Sequence, residues 1–231
     1  MDEFKKDGFE ILPDVIAHDQ CDALASELSA LHRRQKESAK NRLGGVRNLL
    51  QLLPPVNEVA NSPEIREILE KRLAKRALPV RALFFDKTTD ANWRVAWHQD
   101  LTIAVAERIE TPEFEAWSVK EGIAHVQPPR RILEGMATVR LHLDDCNAKN
   151  GALKVIPGSH LEGKLNSTQI KNSSETGNIY VCEVPKGGAL LMRPLLLHAS
   201  SPAENPSHRR VLHIEYATDE LPNGLRWFEQ Q

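Results

Sequence analysis

At 231 residues, with 41% hydrophobic and 27% charged side chains, the chain has the make-up of an ordinary soluble globular protein and the length of a single domain, 1–231. A net charge of −2 gives no electrostatic case for nucleic acid or a membrane as partner, and apolar runs such as Ala189 to Met192 are far too short to span a bilayer. The opening MDEFKKDGFE lacks the apolar stretch of a secretory signal, and Cys21, Cys146 and Cys182 form no CxxC pair or disulfide framework, so a reducing, cytoplasmic setting is expected.

Residues 1–78 read as a helical flank. Leu24, Leu28 and Leu31 recur at helical spacing, with the charges HRRQKE following on the solvated side. Asn61-Ser62-Pro63-Glu64 is a helix start: a capping residue, a proline at the first turn and an acid near the positive helix end. That helix is expected to reach about Leu78, where Pro79 forces an extended residue. From 79 to 231 the pattern changes to short β-like runs: Val80–Phe85, Met136–Leu143, Leu153–Ile156, Ile179–Val184, Ala189–Met192 and Arg210–Tyr216. Turn chemistry separates them, as at Asn150-Gly151, Pro157-Gly158 and Gly187-Gly188. The fold class is therefore mainly β, a barrel or sandwich with the N-terminal helices packed on its outside. The polar stretch Ser167–Gly177 reads as a mobile surface loop.

Histidines followed two positions later by an acid occur four times, at His98/Asp100, His142/Asp144, His160/Glu162 and His213/Glu215. About one such pair arises by chance in a chain of this composition, so the bare pattern carries little. Position carries more. A centre of two histidines and one carboxylate occupies one face of a metal and leaves the other positions open for a co-substrate and oxygen. It needs a His and an acid close together at a strand end, and a second His brought alongside from a later strand. His98 and Asp100 follow the strand-like Trp93–Trp97, and His198 closes the apolar run LLMRPLLLH, read as a buried strand. A packing histidine is the competing reading for each taken alone. Arg209 or Arg210 adds a second feature, because a dicarboxylate co-substrate needs a planar cationic fork at its far end. Strand alternation puts Arg209, Val211, His213 and Glu215 on one face and Arg210, Leu212, Ile214 and Tyr216 on the other, without deciding which face is inward.

The segments WHQD, NGALKVIPGSH and LLLHASSPAENPSHRRVLHIEY, in that order over roughly Val80 to Tyr216, resemble the phytanoyl-CoA dioxygenase family, which also includes ectoine hydroxylase. The resemblance implies a double-stranded β-helix (a jelly-roll, cupin-like barrel) and a non-haem iron, 2-oxoglutarate-dependent enzyme. It implies Fe(II) held by His98, Asp100 and His198, with 2-oxoglutarate as co-substrate and O2 as oxidant. It selects Arg209 over Arg210 for the far carboxylate, and it adds Ser200 and Lys87 as cofactor-binding residues. It demotes His142 and Asp144 to the barrel wall and makes His160 a non-ligand within a turn signature. Related halogenases replace the carboxylate ligand with a small residue; Asp100 is present here, so hydroxylation of a C–H bond (or a desaturation variant), with release of succinate and CO2, is the expected reaction. A barrel that binds metal or a small molecule without turnover is the alternative, and the presence of both Asp100 and an arginine clamp argues against it.

The substrate is expected to be a small molecule. Thr138, Arg140 and His142 share one face of their strand, and the resemblance turns that face toward the substrate cavity. Arg81 shares a face with Lys87, and His213 lies four positions beyond Arg209. Arg140, Arg81, Thr138 and His213 are therefore the candidate substrate-binding residues. Arg81 and Arg140 would receive an anionic group unless internal acids such as Glu134 or Asp145 pair with them. Trp93, Trp97 and Trp117 are expected mainly to pack. Residues 102–135, an insertion with Gly122 and Pro128-Pro129 as punctuation, read as a substrate-covering lid, in which His125 is a packing histidine.

Overall fold

The computed structural model describes residues 3–38 and 45–230. The N-terminal part comprises α1 (Glu3–Asp7), β1 (Phe9–Leu12), α2 (His18–Ser38), α3 (Leu49–Leu52), α4 (Pro54–Ala60) and α5 (Pro63–Leu73). Then come β2 (Leu78–Lys87), β3 (Val95–His98), β4 (Ile103–Val105), β5 (Glu115–Lys120), β6 (Ile123–Gln127), α6 (Arg130–Glu134) and β7 (Met136–His142). The remaining elements are β8 (Leu153–Val155), α7 (Ser167–Thr176), β9 (Tyr180–Cys182), β10 (Ala189–Met192), β11 (His198–Ser200) and β12 (Arg209–Ala217).

Two antiparallel sheets face each other, one of five strands in the order β1-β10-β7-β12-β2 and one of four in the order β3-β11-β8-β9. The helices cover the outer face of the larger sheet. Cys21, Leu24, Ala25 and Leu28 on α2, with Ile65 and Leu69 on α5, pack against Ala82 and Phe84, Val139 and Leu141, and Leu212, Ile214 and Tyr216. Each fully buried large side chain there contributes roughly 1.5–3 kcal/mol. The Tyr216 hydroxyl donates to the Ala60 carbonyl at 2.9 Å, which satisfies its polar end inside that layer. Between the sheets, one end is apolar: Leu153, Val155 and Cys182 meet Leu190 and Met192. The other end is polar and holds the site.

Several boundaries differ from expectation. The Ser62 hydroxyl caps α5 as predicted, accepting from the Ile65 amide at 3.4 Å, but the helix stops at Leu73, where Ala74 turns left-handed at φ 54°. The strand after it begins at Leu78 rather than Val80. Ser167–Gly177 is not a loop. Asn166 and Gln169 form a reciprocal capping box at 2.9 and 3.0 Å, and Ile170 packs toward Ile156 and Leu197, so a polar segment gains a helix from its ends and one apolar contact. The run ending at His198 is two elements: Pro194 interrupts it, the Leu196 amide turns back to the Arg193 carbonyl at 3.1 Å, and His198 opens β11 instead of closing a strand. Residues 102–135 contain a third sheet, in the order β4-β6-β5, whose apolar side packs with Trp227 and Leu133.

Candidate active site

Register brings the metal-binding candidates together. β3 and β11 are antiparallel neighbours, and His98 stands directly opposite His198 in the ladder. Asp100 follows two positions after His98, its amide fixed by the Pro194 carbonyl at 2.9 Å. The ligand atoms of His98, Asp100 and His198 all lie within 4.8 Å of one another. Both rings are oriented from behind. The Nδ1–H of His98 donates to the Ala96 carbonyl at 2.8 Å and that of His198 to the Leu196 carbonyl at 2.9 Å, which leaves each Nε2 lone pair facing Asp100 at 3.7 Å. That separation is too long for a hydrogen bond, and Asp100 Oδ2 is buried without a partner. Burial, foremost, pushes His198 down to about 4, so its imidazole is neutral. Burial would raise Asp100, but His198, His213, His98 and Arg140 outweigh it and hold the carboxyl below its ordinary value. Two imidazoles and a carboxylate with converging ligand atoms fit a divalent metal.

Two cavities meet at these residues. The smaller, about 220 Å³, is walled by Lys87, Arg140, Arg209 and Ser200 with Trp93 and Leu153. The larger, about 440 Å³, is walled by Arg81, Glu215, Arg47 and Lys120 with Leu101 and Gln127. Phe85, His98, Asp100 and His213 line both. The polarity of the site is written along β2 and β12. Their inward rows, Arg81-Leu83-Phe85-Lys87 and Arg209-Val211-His213-Glu215, run antiparallel, so Lys87 pairs with Arg209 at one end and Arg81 with Glu215 at the other.

Arg209 is buried, meets no carboxylate among the described residues, and its Nε has no hydrogen-bond partner. Arg210 faces the other way and is held by Asp144 through Nε at 2.8 Å and Nη2 at 2.6 Å, which also accounts for the second half of the rival His142/Asp144 pair. Lys87 donates to the Ser200 hydroxyl at 3.2 Å and the Ser201 carbonyl at 2.6 Å; burial and then Arg209 push its amine down to about 8. Behind Lys87, Gly151 sits at φ 84°, where a Cβ would lie 3.0 Å from Nζ and 2.8 Å from the Ser201 carbonyl, so the turn glycine also makes room for the lysine. Arg140, pushed down to about 10 by burial and then by Arg209, donates through Nη1 to His213 Nδ1 at 2.8 Å. That fixes the His213 proton on Nε2, 3.5 Å from Glu215.

The other candidates fall as follows. Arg81 pairs with Glu215 at 3.0 Å, not with Glu134 or Asp145, and Arg140 opens on the smaller cavity rather than the larger. Thr138 is buried and lines neither cavity. His160 meets the Lys5 carbonyl at 3.2 Å and lines neither cavity, and His125 is buried with Nδ1 on the Ile123 carbonyl at 3.0 Å. Trp93 lines the smaller cavity, with the Lys87 amine 5.8 Å from its ring, whereas Trp97 and Trp117 pack. Gln99 escaped notice in the sequence. Alternation sends it away from the face of His98 and Asp100, where it donates to the Gly163 and Leu195 carbonyls at 2.8 and 2.6 Å and accepts the Leu165 amide at 2.8 Å, pinning the strand end beside these two candidates.

Residues 4–211 match the family model for phytanoyl-CoA dioxygenase. Among curated protein sequences none matches. Solved structures share the fold: AviO1 from Streptomyces viridochromogenes Tue57 superposes with a TM-score of 0.70 at 22% identity over 96% of this chain and 94% of that one. The non-haem α-ketoglutarate-dependent epimerase SnoN from nogalamycin biosynthesis gives 0.71 at 14% identity over 93% and 78%. EctD from S. alaskensis gives 0.71 at 16% identity over 94% and 75%. With the family model spanning most of its length and a jelly-roll of two facing sheets as its core, the chain belongs to the phytanoyl-CoA dioxygenase family of non-haem iron, 2-oxoglutarate-dependent enzymes.

Proposed function

We propose that the protein hydroxylates a C–H bond of a small molecule, with Fe(II) on His98, Asp100 and His198 and 2-oxoglutarate in the smaller cavity. The observation that carries this reading is the pairing of a converging donor set with a buried arginine that has no internal carboxylate, both on one 220 Å³ cavity. Iron with 2-oxoglutarate and O2 supplies an oxidant for an unreactive C–H bond, with succinate and CO2 as co-products.

The chain's own contribution is binding, orientation and exclusion of water. The Ala96 and Leu196 carbonyls hold each Nδ1–H, so neither ring can rotate its Nε2 out of the site. The Arg209 fork would hold the far carboxylate of the co-substrate, and Lys87, anchored by Ser200 and Ser201, would add a second positive charge beside it. Trp93, Val95 and Leu153 keep the opposite wall apolar, which strengthens those charge contacts by keeping water away. The retained carboxylate of Asp100 favours hydroxyl transfer over halogenation.

Anaerobic addition of Fe(II) and 2-oxoglutarate to metal-free protein tests this directly. A visible charge-transfer band should appear in the wild type and vanish in His198→Ala, and Asp100→Ala should abolish turnover. No band and no calorimetric binding of 2-oxoglutarate by the wild type would overturn the reading.

A further inference from the structure

The larger cavity holds a charge imbalance that the proposed reaction does not use. It opens onto His98 and Asp100, so a molecule inside it lies against the ligand set. Three cationic side chains line it: Arg81, Arg47 and Lys120. Arg81 is answered within the protein, by Glu215 at 3.0 Å, with both side chains almost wholly buried. Arg47 is answered only in part. Glu121 approaches its Nε at 3.4 Å without hydrogen-bond geometry, and that Nε is buried and unbonded. Lys120 has the Thr102 hydroxyl at 3.3 Å and, among the described residues, no carboxylate within ion-pair distance.

Lys120 is also held in place. It pairs with Ile123 across a two-residue turn, Glu121-Gly122, whose φ values of 55° and 81° are those of a tight β-hairpin turn. The hairpin therefore presents the amine at a fixed point of the cavity rim rather than on a wandering loop. Partial burial of the amine, then Arg81 and Arg47, holds it below its ordinary value, as expected where like charges gather at a cavity rim. The remaining walls suit a carbon skeleton: Leu83, Phe85 and Leu101 are apolar, and Gln127 offers one amide.

We infer that the substrate carries an oxyanion group, a carboxylate or a phosphate ester, which seats between Lys120 and Arg47 while its oxidisable carbon points toward His98 and Asp100. Arg81, locked to Glu215, is the wall of that seat and not its anchor. The inference rests on the oxygenase reading for the direction the substrate faces, but the anion seat itself does not need iron.

The test uses phenylacetate and phenyl phosphate as probes and phenylacetamide as the neutral counterpart. Each is titrated by calorimetry into the anaerobic Fe(II)–2-oxoglutarate complex, in which Arg209 is occupied, and into metal-free protein. At low ionic strength at least one anion should bind about tenfold or more tighter than the amide, and whichever anion wins identifies the group. The Lys120→Ala/Arg47→Ala double variant should lose that preference, and Lys120→Glu, a change at an exposed hairpin position, should reverse it. An amide that binds as well as both anions, or a preference that survives the double variant, overturns the inference. A missing charge-transfer band with an intact, Lys120-dependent anion preference overturns the oxygenase reading instead.

Discussion

Two adjacent arginines, alike in type and one position apart, do different work because a strand sends alternate side chains to opposite faces. Arg209 points between the sheets with no carboxylate among the described residues to answer it, and Arg210 points outward into the two oxygens of Asp144. Arg209→Met should weaken 2-oxoglutarate binding by about 10–100-fold, the worth of a charge-assisted double hydrogen bond, read from the titration of the charge-transfer band. Arg210→Met should leave that affinity within about twofold and instead lower the free energy of urea unfolding by about 1–2 kcal/mol, for a partly buried ion pair. The reverse pattern would mean that the two arginines had been assigned to the wrong faces.

Elements in this protein are held together by residues distant in sequence. Glu229, near the C-terminus, accepts the Leu50 amide at the start of α3 at 2.8 Å and the Ala82 amide in β2 at 2.9 Å. Glu229→Ala strands two buried backbone donors and should cost about 1–3 kcal/mol for each, measured by denaturant unfolding. Glu229→Gln, with one carbonyl oxygen, can keep only one of the two contacts and should cost less than alanine. Equal losses for both variants would show that the carboxylate charge, not the bonds, is what matters there.

What could be read in advance followed the same division between local pattern and long-range contact. Short, continuously apolar runs bounded by turns, such as Ala189–Met192, appeared with the bounds expected, and the cap at Ser62 was legible from four residues. Ser167–Thr176 was not, because a polar helix is stabilised by its Asn166–Gln169 box and by Ile170 meeting partners far along the chain. The gathering of His98, Asp100 and His198 was legible through motif order, and Arg209 is buried on the same cavity. The surroundings of Arg81 were not, since Glu215 reaches it only through the register of β2 against β12. Lys120 and Arg47 gave no local signal, because the β5–β6 hairpin and a segment before α3 meet only in three dimensions.

At the scale of the whole molecule, the two-sheet core divides its interior by chemistry: an apolar end that holds the sheets together and a charged end with two joined cavities. Among the described residues, no helix is long and apolar enough to cross a membrane. The larger sheet has helices over its outer face, whereas the smaller sheet ends in β3, four residues long and, among the described residues, paired only with β11.

That edge position has a dynamic consequence. His98 rides on an edge strand, with Asp100 two residues beyond it, and His198 is on the strand that pairs with that edge. Edge strands of this length open locally at a free energy well below that of global unfolding. Each opening scatters the three side chains, so the departure rate of a bound cation is limited from above by how often this edge frays, and a cation in place acts as a clasp across it. Hydrogen exchange at Val95–His98 should therefore slow when Fe(II) is added anaerobically, while amides at the centre of β12, already protected by strands on both sides, stay as they were. Equal slowing in both places would mean that the metal stabilises the fold as a whole and that this edge opens only when everything does.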